Sequence, residues 1–178
     1  MLNPYLINKK NQYYRFITSG FIHADYMHLF FNMFSLYAIG SSLESIFLMV
    51  HGDMGKFYFL ALYIGGMILA DITTFFKYKN DSNYNSLGAS GAVSAIIFSF
   101  VMIVPTQTLS INFIPMPAFL FGILYLGISY YQARRSTDNI NHDAHFYGAV
   151  FGMIFTVLTI PNCLPNFIDA LVNWRLPF

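Results

Sequence analysis

Charge is what this chain has least of. Nine Lys and Arg and eight Asp and Glu make up 10% of its 178 residues. A soluble domain carries about 25%. So few charges cannot cover a water-soluble globule of this size, and the mean hydropathy of +0.52 points the same way. The bilayer is the expected solvent. A net charge of +1 leaves no basic footprint for nucleic acid. Cys163 is the only cysteine, which excludes a disulfide within the chain and a thiolate metal cluster. The first twenty residues lack a secretory pattern, because Lys9, Lys10 and Arg15 have no apolar core behind them. Internal repeats, low-complexity runs and linkers are missing as well. What is abundant is aromatic: 20 Phe and 13 Tyr, which suit lipid contact and interfacial belts.

A membrane-crossing helix needs about 20 mostly apolar residues. Stretches poor in charge place five candidates: Met27 to Val50, Phe57 to Phe76, Leu87 to Val104, Pro117 to Tyr131 and Ala144 to Ile160. Residues 82–133 hold no Asp, Glu, Lys or Arg and are too long for one span. Pro105, Pro115 and Pro117 divide them, since proline breaks the helical ladder. The joins are short and polar: His51–Lys56, Lys77–Asn85, Thr106–Asn112 and Gln132–Asp143. The sequence therefore predicts an all-α, polytopic membrane helical bundle over residues 1–178 as a single domain. Residues 1–25 form a polar lead-in, and residues 162–178, with Trp174 and Arg175, form an interfacial tail.

Successive spans alternate direction, so the first, third and fifth begin on one side of the membrane. A polar cluster sits at each of those starts. The first is His23-Ala-Asp-Tyr-Met-His28-Leu-Phe-Phe-Asn32, in which His28 and Asn32 share a helix face. The second is Leu87-Gly88-Ala89-Ser90-Gly91-Ala92, and the third is Ala144-His145-Phe146-Tyr147-Gly148, continuing to Gly152. Acyl transfer needs this assortment. A serine hydroxyl attacks only when a base takes its proton, and the tetrahedral intermediate needs donors for its oxyanion. Ser90 can attack, His145 can accept the proton, and His28 and Asn32 can donate. The small residues around Ser90, with Gly148 and Gly152, let the third and fifth helices come close enough for a Ser–His hydrogen bond. Asp143 lies near His145 in sequence but points to another helix face, so a dyad is the simpler arrangement.

Each residue has a plainer reading. A membrane serine often bonds back to its own helix. His145 can be an interfacial histidine, and Asn32 can join two helices. His142 and His51 fall in joins and are expected to be solvated. A metal site at His142, Asp143 and His145 lacks a second convergent ligand set, and no metal or cofactor is expected. Asp71 and Glu44, toward span ends, read as interfacial or interhelical anchors. The pairs Lys77/Lys79 and Arg134/Arg135 read as solvated loop charges.

Together, the His-x4-His-x3-Asn pattern at His23, His28 and Asn32, the Gly-x-Ser-Gly motif at Gly88–Gly91, and the Ala-His-x2-Gly-x3-Gly motif at Ala144–Gly152 resemble the three signatures of the rhomboid family. The resemblance covers about Tyr14 to Ile160. It implies an intramembrane serine endopeptidase that cuts transmembrane protein substrates near the membrane surface. Ser90 would be its nucleophile and His145 its base, with His28 and Asn32 on the oxyanion side. Gly88 would open the nucleophile loop, and His23 would be structural. It implies a six-span core, of which about five spans are expected here, without the first. Many members carry a tyrosine four residues after the nucleophile that packs on the base. Here that position is Ser94, and Phe146 or Tyr147 are the candidate substitutes.

Two rival functions are a catalytically inactive rhomboid-like protein that binds membrane clients, and an unrelated transporter or channel. The second would run a polar stripe through several spans, whereas here the polar residues gather at one end. Lys9, Lys10, Arg15, Lys77, Lys79, Arg134 and Arg135 lie on the Ser–His side, against Lys56 and Arg175 opposite. The positive-inside rule would put that side in the cytoplasm. The resemblance implies a multi-pass protein of the cell membrane with its site toward the outer face, and that expectation is adopted.

Overall fold

The fold is taken from a computed structural model that describes residues 1–111, 114–135, 138 and 140–175. Three of its helices begin with a side-chain cap. Helix α1, Pro4–Lys10, starts where Asn3 accepts from Leu6 N at 2.8 Å, with proline in its first turn. A short α2, Arg15–Thr18, leads through a 3₁₀ turn, Ser19–Phe21, to α3, Tyr26–His51, which Asp25 caps at His28 N. The chain turns back through Gly52–Met54 into α4, Gly55–Ala70, and α5, Ile72–Tyr78. After a loop comes α6, Ser90–Ile103. A hairpin of β1, Thr108–Ile111, and β2, Ile114–Pro117, precedes α7, Ala118–Arg135. Then come α8, His142–Thr159, capped by Asn141, and α9, Cys163–Val172. Pro161 stops α8 by holding Ile160 extended, and α9 leaves it at 110°.

Helix α6 is the axis of the bundle. It is only 14 residues long, about 21 Å, and ten of those residues are buried. Helices α3, α4, α7 and α8 all pack on it. The tightest approach is to α8. A Cβ on Gly148 would collide with the Gly91 carbonyl, and one on Gly152 with the Ala95 carbonyl. On the other side of α6, Gly66 lies against Ala92 and Ala95. Lower in the same seam, the buried Thr156 hydroxyl lies 2.6 Å from Ser99 Oγ and donates to the Gly152 carbonyl at 2.7 Å. Without a hydrophobic drive between helices in lipid, such close backbone packing and buried hydroxyl pairs are what hold a bundle together.

The outer surface is apolar. Phe30, Phe31, Phe34 and Tyr37 of α3, Ile123, Leu124 and Ile128 of α7, and Leu158 of α8 are all exposed. So large an exposed apolar surface belongs in lipid. The helical run Tyr26–Tyr78, which folds back at Gly52–Met54, is long and apolar enough to cross a membrane, and α8 with α9 passes the same test as a bent pair.

Several details depart from the expectations. The second expected span is two helices, broken at Asp71, whose side chain turns inward to Asn141. The join Thr106–Asn112 contributes the first strand of a hairpin, with Thr108 opposite Pro117 and Leu109 opposite Met116. Two-stranded pairing leaves only edge strands, where Pro115 and Pro117 are tolerated. Asn112 itself lies outside the described residues. The lead-in 1–25 is not all polar surface, because Leu2, Pro4 and Ile7 are buried. His142, expected in solvent, is buried at the start of α8, with Nε2 3.1 Å from Asp138. His51 is half-buried, its ring stacked on Tyr58 at 4.0 Å. Lys77 is on α5, not in a loop, and pairs with Asp143 at 2.7 Å. In the tail, Trp174 packs edge-on against Phe119, and residues 176–178 lie outside the described set.

Gly152→Val should lower the stability of the detergent-solubilised protein by about 3 kcal/mol, an overpacking cost. Gly127→Ala, with open space around it, should match or slightly exceed the native protein. Thermal unfolding checks both, and equal melting of the two variants would remove the α6–α8 seam from its central place.

Candidate active site

Ser90 is the first residue of α6, so its backbone N–H belongs to the turn that has no acceptor within the helix. Gly88, two residues earlier, has φ +108, a conformation that favours glycine. A Cβ there would also come within 2.6 Å of His28 Cε1. The loop is held on two sides. Gly88 N donates to Ser19 O at 3.1 Å, and Ser86 pairs with Leu2 through both backbone bonds, at 2.8 and 3.0 Å.

His145 lies one turn into α8. Its Nε2 is 2.8 Å from Ser90 Oγ, across 55 residues of sequence. The close α6–α8 approach puts both side chains at the same end of the seam. His142 meets the His145 ring edge-on at 5.8 Å. Asp143 points away to Lys77, so it is not a third member. Among the described residues, no three His, Cys, Asp or Glu side chains converge as a metal site would require.

On the other side of Ser90 stands α3. His28 presses against Gly88 and meets His23 edge-on at 5.1 Å. Burial, and then the neighbouring His28, push the His23 imidazole below its ordinary pKa, which favours its neutral form. Asn32 is buried one turn further along α3 and donates to the His28 carbonyl at 3.0 Å. Among the described residues it makes no hydrogen bond to Ser90. The structure thus joins Ser90 and His145 directly, sets His28 against the Gly88 end of the loop, and leaves Asn32 bonded to its own helix.

The aromatic neighbour of His145 comes from an unexpected place. Tyr125 of α7 has its hydroxyl 2.6 Å from Ser94 Oγ, and its ring lies 6.4 Å from the His145 ring at 33°. Phe146 turns instead to Tyr130 and Tyr147. Ser94 was the visible signal, a hydroxyl in an otherwise apolar stretch, but its partner on α7 was not. Sequence reasoning also passed over Asn141, although Asn before an apolar helix is a capping pattern. Behind Ser90, a cavity of about 10 Å³ is bordered by Asp71, Ser86 and Asn141, the space of about one water.

Comparison with known proteins matches this chain to one family. The model of the Rhomboid domain matches residues 10–162. RHOMBOID-like protein 12, mitochondrial, of Arabidopsis thaliana is 30% identical over 174 residues, covering 86% of this chain and 50% of that protein. Presenilin-associated rhomboid-like protein A, mitochondrial, of Danio rerio is 29% identical over 143 residues, covering 77% of this chain and 35% of its own length. Rhomboid-related protein 1 of Caenorhabditis elegans is 27% identical over 177 residues, covering 93% of this chain and 45% of its own. The chain spans half or less of the length of these relatives. No solved structure matches. Two of these names are mitochondrial, so the expected cell membrane finds no support in them. With the family model matching most of its length, this membrane-embedded helical chain belongs to the rhomboid family.

Proposed function

We propose that the chain is a serine endopeptidase of the membrane, cutting transmembrane protein substrates near the membrane surface. The observation that carries this reading is the 2.8 Å separation of His145 Nε2 and Ser90 Oγ. In this reading the hydroxyl donates to an unprotonated Nε2, so the base starts neutral with its proton on Nδ1. Ser90 Oγ attacks the scissile carbonyl as its proton passes to Nε2. The carbonyl oxygen becomes an oxyanion, and this reading assigns its stabilisation to the Ser90 N–H and His28. Collapse breaks the C–N bond, and the imidazolium returns the proton to the leaving amine. Water, deprotonated by His145, then attacks the acyl ester and releases Ser90. Side chains and water suffice for both halves of the reaction.

The setting supports the substrate class. The apolar outer face presents the site to proteins that share the bilayer. A substrate helix must unwind locally to offer its carbonyl, because its backbone groups are otherwise paired. Small, helix-weakening residues near the cut are therefore expected in the substrate.

The test is labelling of the detergent-solubilised protein with a fluorophosphonate probe. The native protein should label. Ser90→Ala should abolish labelling, and His145→Ala should slow it by about 10²–10⁴-fold, the contribution of a general base. A folded native protein that does not label, or a Ser90→Ala variant that does, sinks the protease reading. The inactive client-binding alternative predicts the first of these outcomes.

Tyr125→Leu should lower kcat about two- to tenfold, the worth of one aromatic contact, with KM little changed. Tyr125→Leu combined with Ser94→Tyr, which moves the ring to α6, should recover part of the loss. Equal kcat in the native protein and Tyr125→Leu would show that the ring does nothing for the base.

A further inference from the structure

Ser90 and His145 come from segments far apart in the chain, so their separation depends on whatever fixes the first turn of α8 against the loop before α6. One side chain touches both. Asn141 is the N-cap of α8. Its Oδ1 accepts from Ala144 N at 3.1 Å and from Thr74 Oγ1 at 3.0 Å. Its Nδ2 donates to Asp71 Oδ1 at 3.1 Å and to Ser86 Oγ at 3.4 Å. Its backbone carbonyl accepts from His145 N at 3.3 Å. An amide side chain has two donor hydrogens and two acceptor lone pairs, and all four are used.

The partners lie on the segments that matter. Ser86 is four residues before Ser90, in the loop whose backbone pairs with Leu2. Ala144 and His145 are in the first turn of α8. Asp71 stands at the α4–α5 break, and Thr74 is buried in α5. The amide can face only one way. Turned over, it would set its oxygen against the Asp71 acceptor and its NH₂ against the Ala144 N–H. Asp71 therefore orients the group that caps α8 and reaches the nucleophile loop.

We propose that Asn141 is a positioning residue for the Ser90–His145 pair, with Asp71 as the acceptor that orients its amide. This rests on the reading of that pair as catalytic. A plain helix cap needs only an acceptor oxygen, which Asp supplies as well as Asn. The positioning role needs the donor too, because the donor is what reaches Ser86 and Asp71. Asn141→Asp keeps the cap, loses the donor and sets two carboxyl groups face to face. The exchange Asn141→Asp with Asp71→Asn restores a donor–acceptor pair in the opposite sense.

The experiment measures kcat and KM on a transmembrane substrate, the rate of fluorophosphonate labelling, and the melting temperature, all on the full chain in detergent. Asn141→Asp should lower kcat and the labelling rate about 10- to 100-fold, the cost of a misplacement on the order of 1 Å, with KM within about twofold. The exchange variant should regain the part of that loss that the contact between positions 71 and 141 carries. Ser86→Ala, which leaves the cap and the Asp71 contact in place, should lower kcat without lowering the melting temperature. It provides the reading if Asn141→Asp does not fold. Native kcat in a folded Asn141→Asp or Ser86→Ala variant overturns the positioning role while leaving the protease reading intact. A native protein that does not label overturns the protease reading, and the positioning role with it.

Discussion

The contact on which the rest of the molecule depends is the approach of α8 to α6. At Gly148 and Gly152 the two backbones meet with no side chain between them. That closeness fixes three things. It lets the Ser99–Thr156 hydroxyl pair form in the buried seam. It leaves α6 enclosed, so that a helix too short to cross the hydrocarbon core unaided becomes the axis of the bundle. It also brings His145 to Ser90, since both stand at the same end of the seam, each within the first turn or so of its helix. A larger residue at either glycine would widen the seam over its whole length, and a hydrogen bond of 2.8 Å has no slack to absorb that.

Around this seam the polar residues form a layer at one end. Their demands for hydrogen bonds are met mostly by one another and by caps. Asp25 serves His28 N, Asn141 serves Ala144 N, Ser86 pairs with Leu2, and Asp143 takes Lys77. An unpaired polar group is costly in a medium of low dielectric. The Ser90 hydroxyl and the His145 imidazole therefore sit among groups most of which are already hydrogen-bonded, the buried His23 Nε2 being an exception.

Much of this was legible in the sequence, for a physical reason. Apolar runs report spans because the bilayer imposes their length. Parity of the five expected spans puts the starts of the first, third and fifth together, and the structure brings His28, Ser90 and His145 to one end of the bundle. Glycine at 88, 148 and 152 is legible because a Cβ is excluded there. What escaped depends on contacts between segments that carry no local pattern. The burial of Leu2 and Ile7 depends on distant partners, since Leu2 pairs with Ser86 and α1 packs on α5. The hairpin at 108–117 hides among prolines that ordinarily argue against strands. His142 reads as a loop residue until α8 is seen to begin with it. Tyr125 is one tyrosine among thirteen, and only the packing of α7 singles it out.

Tyr125 shows how a ring can reach the same neighbourhood from a different helix. Many members of the resembled family carry a tyrosine four residues after the serine, where this chain has Ser94, and Phe146 or Tyr147 are the expected substitutes. The Ser94 hydroxyl holds Tyr125 at 2.6 Å, and the ring it holds lies near His145. A ring on α6 would move with Ser90. A ring on α7 moves with a different helix, one that packs on both α6 and α8 and is held to α6 by this hydrogen bond. Placing the ring there ties the surroundings of His145 to the position of α7. Any displacement of that helix must either break the Ser94–Tyr125 bond or shift the ring beside His145.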